Sequence, residues 1–276
     1  MPPTSTAQQK VLVAQFISLT GATERQAVRY LKSAGFRINE AIDAFYTSNV
    51  QPKGPSPTES KLGSLFDALR DDEGDEKDKL EVDSTMEYLG TRLKISLENA
   101  ELFVILELLQ APSVGEITRK GYIDGWKASG VGATHQEHAA HTRKLVSSLS
   151  KDVTLFKRVY RYAFVVGRER DQKALSLDNA IVYWVMLFTS PGMAWKTKHR
   201  DWFNLWRTFL TETWTRSVNK DMWNMILEFA LKSMTDDSLS FWTENGAWPS
   251  VVDDFVLWCR ERGVGKPQSM DVDADA

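Results

Sequence analysis

Toward its C-terminal end the chain carries Asn219-Lys220-Asp221-Met222-Trp223, then Gly246-Ala247-Trp248-Pro249 and Asp253-Asp254-Phe255. These stretches combine carboxylates, a small residue and large aromatics, and nothing in them can serve as a nucleophile. Such a set suits the docking of a basic protein partner, because carboxylates beside a small residue let a cationic side chain approach closely and form charge-assisted bonds. Each carboxylate also has a purely local use. Asp221 would be the second residue of a helix capped by Asn219, and Asp253 the third residue after Ser250. A carboxylate in a first helical turn gains about 0.3–1 kcal/mol from the helix dipole. Capping and docking are compatible, and sequence physics does not separate them.

Three other clusters invite chemistry. The acidic run Asp71-Asp72-Glu73-Gly74-Asp75-Glu76-Lys77-Asp78 sits between two helical patterns. A calcium loop started at Asp71 would have Glu73 and Asp75 at positions three and five. It would lack the sixth-position glycine (Glu76) and the twelfth-position glutamate (Val82). A solvated acidic loop is the better reading, and a calcium-responsive protein only a second alternative. His135, His138 and His141 share one face of a predicted helix, but the spacing is not that of a helical zinc motif, so a polar helix face is expected and no metal. Cys259 lies in Phe255-Val256-Leu257-Trp258-Cys259, where a half-buried structural cysteine is expected. No local sequence pairs it with His199. With no Gly-rich phosphate loop and no G-x-S-x-G, the chain is expected to have no catalytic residues and no cofactor.

Composition sets the class. The 276 residues are 42% hydrophobic and 26% charged, which describes a globular protein large enough for a small and a medium domain. A net charge of -3 argues against a general nucleic-acid binder. One cysteine forbids an internal disulfide, and no signal-peptide pattern opens the chain, so an intracellular protein of the cytoplasm or nucleus is expected. The longest apolar run, Ala180 to Phe188, is about half of what a bilayer-spanning helix needs, so no membrane insertion is expected.

The elements that must position these residues read as all-α. Residues 7–48 give three short helices, with Val11, Leu12, Phe16 and Leu19, then Ala27, Val28 and Leu31, then Ile38, Ala41, Ile42 and Phe45 at helical spacing. Thr23 is placed as an N-cap and Gly35 as a C-terminal cap. A Pro-rich linker, residues 49–60, follows. A larger helical domain spans residues 61–263, with helical patterns over 82–94, 97–110, 118–129, 135–149, 152–168, 176–189, 199–214, 219–234 and 250–262. Thr134 with Glu137 reads as a capping box, and Ser176, Asn219 and Ser250 as N-caps. The ten tryptophans all follow residue 125, and most are expected in a helical core. The polar, acidic tail, residues 264–276, is expected to be disordered.

Taken together, Lys220-Asp221-Met222-Trp223, Gly246-Ala247-Trp248-Pro249, Asp253-Asp254-Phe255-Val256 and Asp178-Asn179-Ala180-Ile181-Val182-Tyr183-Trp184 resemble the defective-in-cullin-neddylation family. The resemblance runs from about residue 8 to residue 262. It implies a UBA-like three-helix bundle followed by a potentiating-neddylation domain whose N-terminal part is a degenerate calcium-hand arrangement. It further implies that Asp221, Ala247 and Asp253 bind the basic C-terminal subdomain of a cullin. An apolar pocket would receive the N-acetylated N-terminus of a neddylation conjugating enzyme, at Val82, Met86, Leu102, Ile105, Leu109, Val114, Ile117, Tyr183 and Met186. Acetylation suits such a pocket because it removes a charge that is costly to bury.

The function so implied is a scaffold-type ligase component that holds cullin and conjugating enzyme together while the RING subunit of the cullin complex supplies activation. The alternative is a ubiquitin-binding adaptor acting through the UBA-like domain. Thr20-Gly21-Ala22 stands where ubiquitin-binding members often carry Met-Gly-Phe/Tyr, a departure that bears on ubiquitin as a partner.

Overall fold

In the computed structural model the described residues are 6–49, 55–71, 73–169 and 171–264. Residues 50–54 of the Pro-rich linker and nearly all of the acidic tail lie outside them. The chain divides into two units, Met1–Ser56 and Pro57–Ala276.

The first unit holds α1 (Thr6–Thr20), α2 (Glu24–Ser33) and α3 (Ile38–Asn49) around Phe16, Ala27, Leu31, Ala41 and Phe45. Thr23 and Gln26 form a reciprocal capping box at the start of α2. At its end Gly35, at φ 61°, lets Phe36 N–H reach Leu31 O at 2.7 Å and Gly35 N–H reach Lys32 O, a complete left-handed stop.

The second unit begins with α4 (Pro57–Asp67). Residues 57–60, read from the sequence as linker, are therefore the first turn of a helix. A proline costs nothing at the first helical position, where its missing N–H would have no partner. Then come β1 (Lys79–Leu80), α5 (Val82–Glu87), α6 (Glu101–Leu108), β2 (Ile117–Thr118) and α7 (Arg119–Ser129). The helix expected over 82–94 is α5 running into a π turn, Tyr88–Arg92. The helix expected from 97 starts later, because Asn99 Oδ1 accepts from Glu101 N and shapes a turn before it. After α8 (His135–Leu149), a second set follows: α9 (Val153–Gly167), β3 (Ala174–Leu175), α10 (Leu177–Phe188), α11 (Trp202–Thr213), β4 (Val218–Asn219) and α12 (Lys220–Ser233). α13 (Ser250–Glu261) packs on α11 and α12.

β1 pairs antiparallel with β2 (Leu80 opposite Ile117), and β3 with β4 (Leu175 opposite Val218). The unit thus contains two helix–loop–strand–helix pairs, each clasped by a two-residue ladder whose apolar members are buried. The first pair is the calcium-hand-like part expected from the resemblance. The second pair was not anticipated, since its loops carry no acidic periodicity.

Eight of the tryptophans are buried; Trp214 and Trp248 are half-buried. At the centre Trp184 Nε1 donates to Tyr160 Oη (2.7 Å), Tyr160 Oη donates to Trp223 O (2.9 Å), and Trp223 Nε1 donates to Tyr160 O (2.9 Å). The two indoles stack at 5.2 Å. Tyr160→Phe would leave a buried indole N–H without an acceptor, at a cost of about 1–3 kcal/mol. Denaturant unfolding of the variant is expected to register that loss without a change in slope.

Candidate protein-docking sites

Asn219 caps α12, its Oδ1 accepting from Met222 N at 2.8 Å. That leaves the exposed Asp221 side chain with no partner among the described residues. α13 differs from expectation at its start. Pro249 is the N-cap, with no side-chain capping bond, and Ser250 is the first helical residue. Asp253 therefore completes no cap pair with Ser250. Its Oδ1 instead accepts from the indole Nε1 of Trp242 at 2.8 Å. The half-buried carboxylate is held at a fixed orientation, with its second oxygen making no bond among the described residues. Asp254 is exposed and has no partner among the described residues.

No local signal in the sequence marks Trp242, since it lies eleven residues before its acceptor in an irregular loop. That loop, residues 234–249, is tightly made. Asp236 accepts from the backbone N–H and the hydroxyl of both Ser238 and Ser240. The two hydroxyls, helped by the two backbone donors, pull its carboxyl down to about 2 and outweigh the opposing effect of burial. Phe241 and Trp248 pack on Phe229 of α12 at 5.5 and 5.7 Å, and the Arg260 guanidinium lies 4.6 Å from the Trp242 ring centre. Ala247 is exposed between Gly246 and Trp248. A side chain at 246 would meet Thr243 O at 2.9 Å, so the approach to Ala247 requires glycine before it.

Packing also sets how the carboxylates stand. Phe255, two residues past Asp253, contacts Phe229 at 5.8 Å, and Phe229 is eight residues past Asp221. Eight residues of helix rise about 12 Å, so Asp221 lies about two turns along α12 from that contact, while Asp253 lies within one turn of it along α13.

The nine apolar residues fall into two groups. Leu102, Ile105, Leu109, Ile117 and Met186 are buried in the main core. Val114 and Tyr183 are half-buried against that core, Met86 is half-buried, and Val82 is 57% exposed. Val82 lies against Gly115, where an added side chain would meet it at 2.8 Å, and Tyr183 packs edge-on to Phe103 at 5.0 Å. The part of this set that solvent reaches is thus Val82, Met86, Val114 and Tyr183, and the other five are core.

The remaining clusters are accounted for structurally. In the acidic loop Asp75 accepts from Glu81 N (2.7 Å) and Asp71 N (2.8 Å). Burial raises its pKa, but these donors and Ser84 outweigh it and hold the carboxyl low. Arg119 bonds Asp67, Asp78 and the Lys77 carbonyl, so a guanidinium closes the loop at its helix ends. Among the described residues no group of three or more His, Cys, Asp or Glu is placed to hold a metal ion. The histidine stripe corrects its sequence reading as a polar face. His138 is fully buried, stacked flat on Trp126 at 3.8 Å, and His135 and His141 are half-buried beside it. Thr134 caps α8 by accepting from Glu137 N, while the Glu137 carboxylate takes the Thr134 hydroxyl at 2.5 Å. Cys259 is fully buried, beyond the half-burial expected. Burial pushes its thiol up to about 12 against the opposing fields of Arg200 and Arg262, so no reactive thiolate forms there. No helix among the described residues is long and apolar enough to cross a membrane.

Known proteins resemble both units of the chain. A family model described as "Cullin binding" matches residues 137–258, which include Asp221, Ala247 and Asp253, and one described as "UBA-like domain" matches residues 10–52. "Defective in cullin neddylation protein 1" of Pyricularia oryzae is 40% identical over 98% of this chain and 99% of its own length. The protein of the same name in Yarrowia lipolytica is 30% identical over 90% of this chain and 96% of its own length. "DCN1-like protein 4" of Danio rerio is 32% identical over 64% of this chain and 59% of its own. With both of its units matched and relatives aligned end to end, the chain belongs to the defective-in-cullin-neddylation family.

Proposed function

We propose that this protein promotes cullin neddylation as a scaffold-type co-ligase without catalytic residues of its own. The basic C-terminal subdomain of a cullin docks on Asp221, Ala247 and Asp253. The N-acetylated N-terminus of the neddylation conjugating enzyme docks around Val82, Met86, Val114 and Tyr183, and the RING subunit supplies activation. The observation that carries the reading is Asp253, a carboxylate oriented by Trp242 at the surface of the cullin-binding domain. Holding a charged conjugating enzyme beside an acceptor lysine raises the reaction rate through lost freedom alone, so the scaffold needs no acid, base or nucleophile.

The test is a purified neddylation reaction with acetylated conjugating enzyme, run with and without the chain. Acceleration of about tenfold or more is expected, and it should shrink toward the basal rate when the conjugating enzyme is not acetylated. No acceleration would overturn the reading. Ubiquitin binding through the first unit is a second reading, favoured by Leu19 and Tyr46. Both are about half exposed beside the Thr20-Gly21-Ala22 loop, with Tyr46 Oη donating to Leu19 O. Ubiquitin titration of the full chain distinguishes it, since tight binding without acceleration of neddylation would favour the adaptor.

A further inference from the structure

A groove of about 1020 Å³ opens on the second unit. It lies between α8, the segment joining the π turn to α6, the α10–α11 loop and the end of α12. None of the residues assigned above to the cullin or the conjugating enzyme lines it. Its floor is apolar: Ile95 and Met193 are buried, and Val146 and Met234 are half-buried. Its rim is basic. Lys94, Arg143 and Lys151 are exposed, and none of their side chains has an ion-pair partner among the described residues. Glu101, the single carboxylate among the described lining residues, already accepts from Ser96 N at 3.1 Å. Three uncompensated cations thus gather on a protein whose net charge is -3. Lys94 stands at φ 58°, a backbone conformation that glycine or asparagine fills at lower cost, so the cation is kept where local preference disfavours it.

We infer that this groove binds an acidic peptide segment of a partner protein. An aliphatic side chain seats on Ile95, Val146 and Met193, and carboxylates meet Lys94, Arg143 and Lys151. The sign of the rim excludes the basic cullin surface proposed for Asp221 and Asp253, so the occupant is a different protein or a different segment. The groove presents no aromatic face, which single-stranded nucleic acid uses for stacking, whereas an apolar floor beneath a charged rim fits a peptide with alternating character.

The probe is a fluorescein-labelled, glutamate-rich peptide with a central Leu-Met pair, titrated into the full chain and followed by anisotropy. Saturable binding is expected, weaker by about tenfold or more in the Arg143→Glu, Lys151→Glu double variant. Raising NaCl toward 300 mM should weaken it similarly, as expected for exposed charges. Replacing Leu-Met by two serines should cost about fivefold or more by removing the apolar anchor. Lys120→Glu, a reversal away from the groove, should change nothing. Thermal unfolding of each variant separates lost binding from lost fold. Absence of saturable binding, or binding indifferent to the double reversal, overturns the inference. Tighter binding of an oligonucleotide of equal charge overturns it in favour of nucleic acid. An increase of about tenfold on deleting residues 265–276, where Asp271, Asp273 and Asp275 alternate with apolar residues, overturns the partner assignment in favour of the chain's own segment.

Discussion

Asp253→Lys is expected to weaken binding of a cullin C-terminal region by about 100-fold or more, whereas Asp254→Lys should cost less than about fivefold. The two residues are adjacent and equally charged, so the contrast tests orientation rather than charge. Asp253 is half-buried and held by the Trp242 indole; Asp254 is exposed with no partner among the described residues. A carboxylate already fixed in place loses little freedom on binding, and reversing it sets like charges against each other at short range. Losses of about 2–5 kcal/mol are usual for breaking such a pair, which covers the stated factor. Trp242→Phe should fall between the two, at about five- to tenfold, because it removes one hydrogen bond of about 0.5–1.5 kcal/mol while leaving the charge. The helix-dipole share of Asp253, about 0.3–1 kcal/mol, appears in thermal unfolding and is too small to imitate the binding loss. Titration calorimetry with the isolated cullin region checks all three. Equal effects at Asp253 and Asp254 would mean that general acidity, not the Trp242-held oxygen, makes the site.

What could be read from the sequence divides along the range of the interaction concerned. α8 was expected over 135–149 and runs from His135 to Leu149, because Thr134 states its own start within three residues. Thr23, Gly35, Ser176 and Asn219 are likewise local devices, complete within one turn. The misreadings come where a distant contact decides. The Pro57 turn is compatible with helix or linker locally, and packing of Leu62 and Phe66 into the core selects helix. The histidine stripe has the spacing of a polar face, and only the arrival of Trp126 from α7 makes it an inner face. The second clasped pair depends on Leu175 meeting Val218 across forty-three residues, a pairing that two-residue strands cannot announce. The carboxylates of the candidate site were visible as residue types in sequence. What makes one of them distinctive, the Trp242 bond, was not.

Acid should destabilise this protein through His138 in particular. The ring is fully buried against Trp126. Its pKa falls from the usual 6.5 to about 4, first because burial penalises the charged form and then because His135 and His141 repel it, outweighing the nearby Gly132 backbone, which favours the protonated ring. The group is a base whose folded-state pKa lies below its unfolded value, so the unfolded chain takes up the proton first. Stability from the neutral buried ring is complete above about pH 6.5, declines as the pH falls, and is exhausted near pH 4. A depression of that size corresponds to about 3 kcal/mol. His138→Phe keeps an aromatic ring on Trp126 and cannot titrate. Denaturant unfolding of wild type and variant at pH 7.5, 5.5 and 4.5 should therefore show wild type losing about 2.5 kcal/mol more than the variant over that interval. Carboxylates such as Asp75, with a lowered pKa in the fold, also lose stability in acid, but they do so in both proteins and cancel in the difference. Parallel pH curves would mean that the stacked ring is reached by protons without opening the helix pair, and that burial against Trp126 does not exclude its charge.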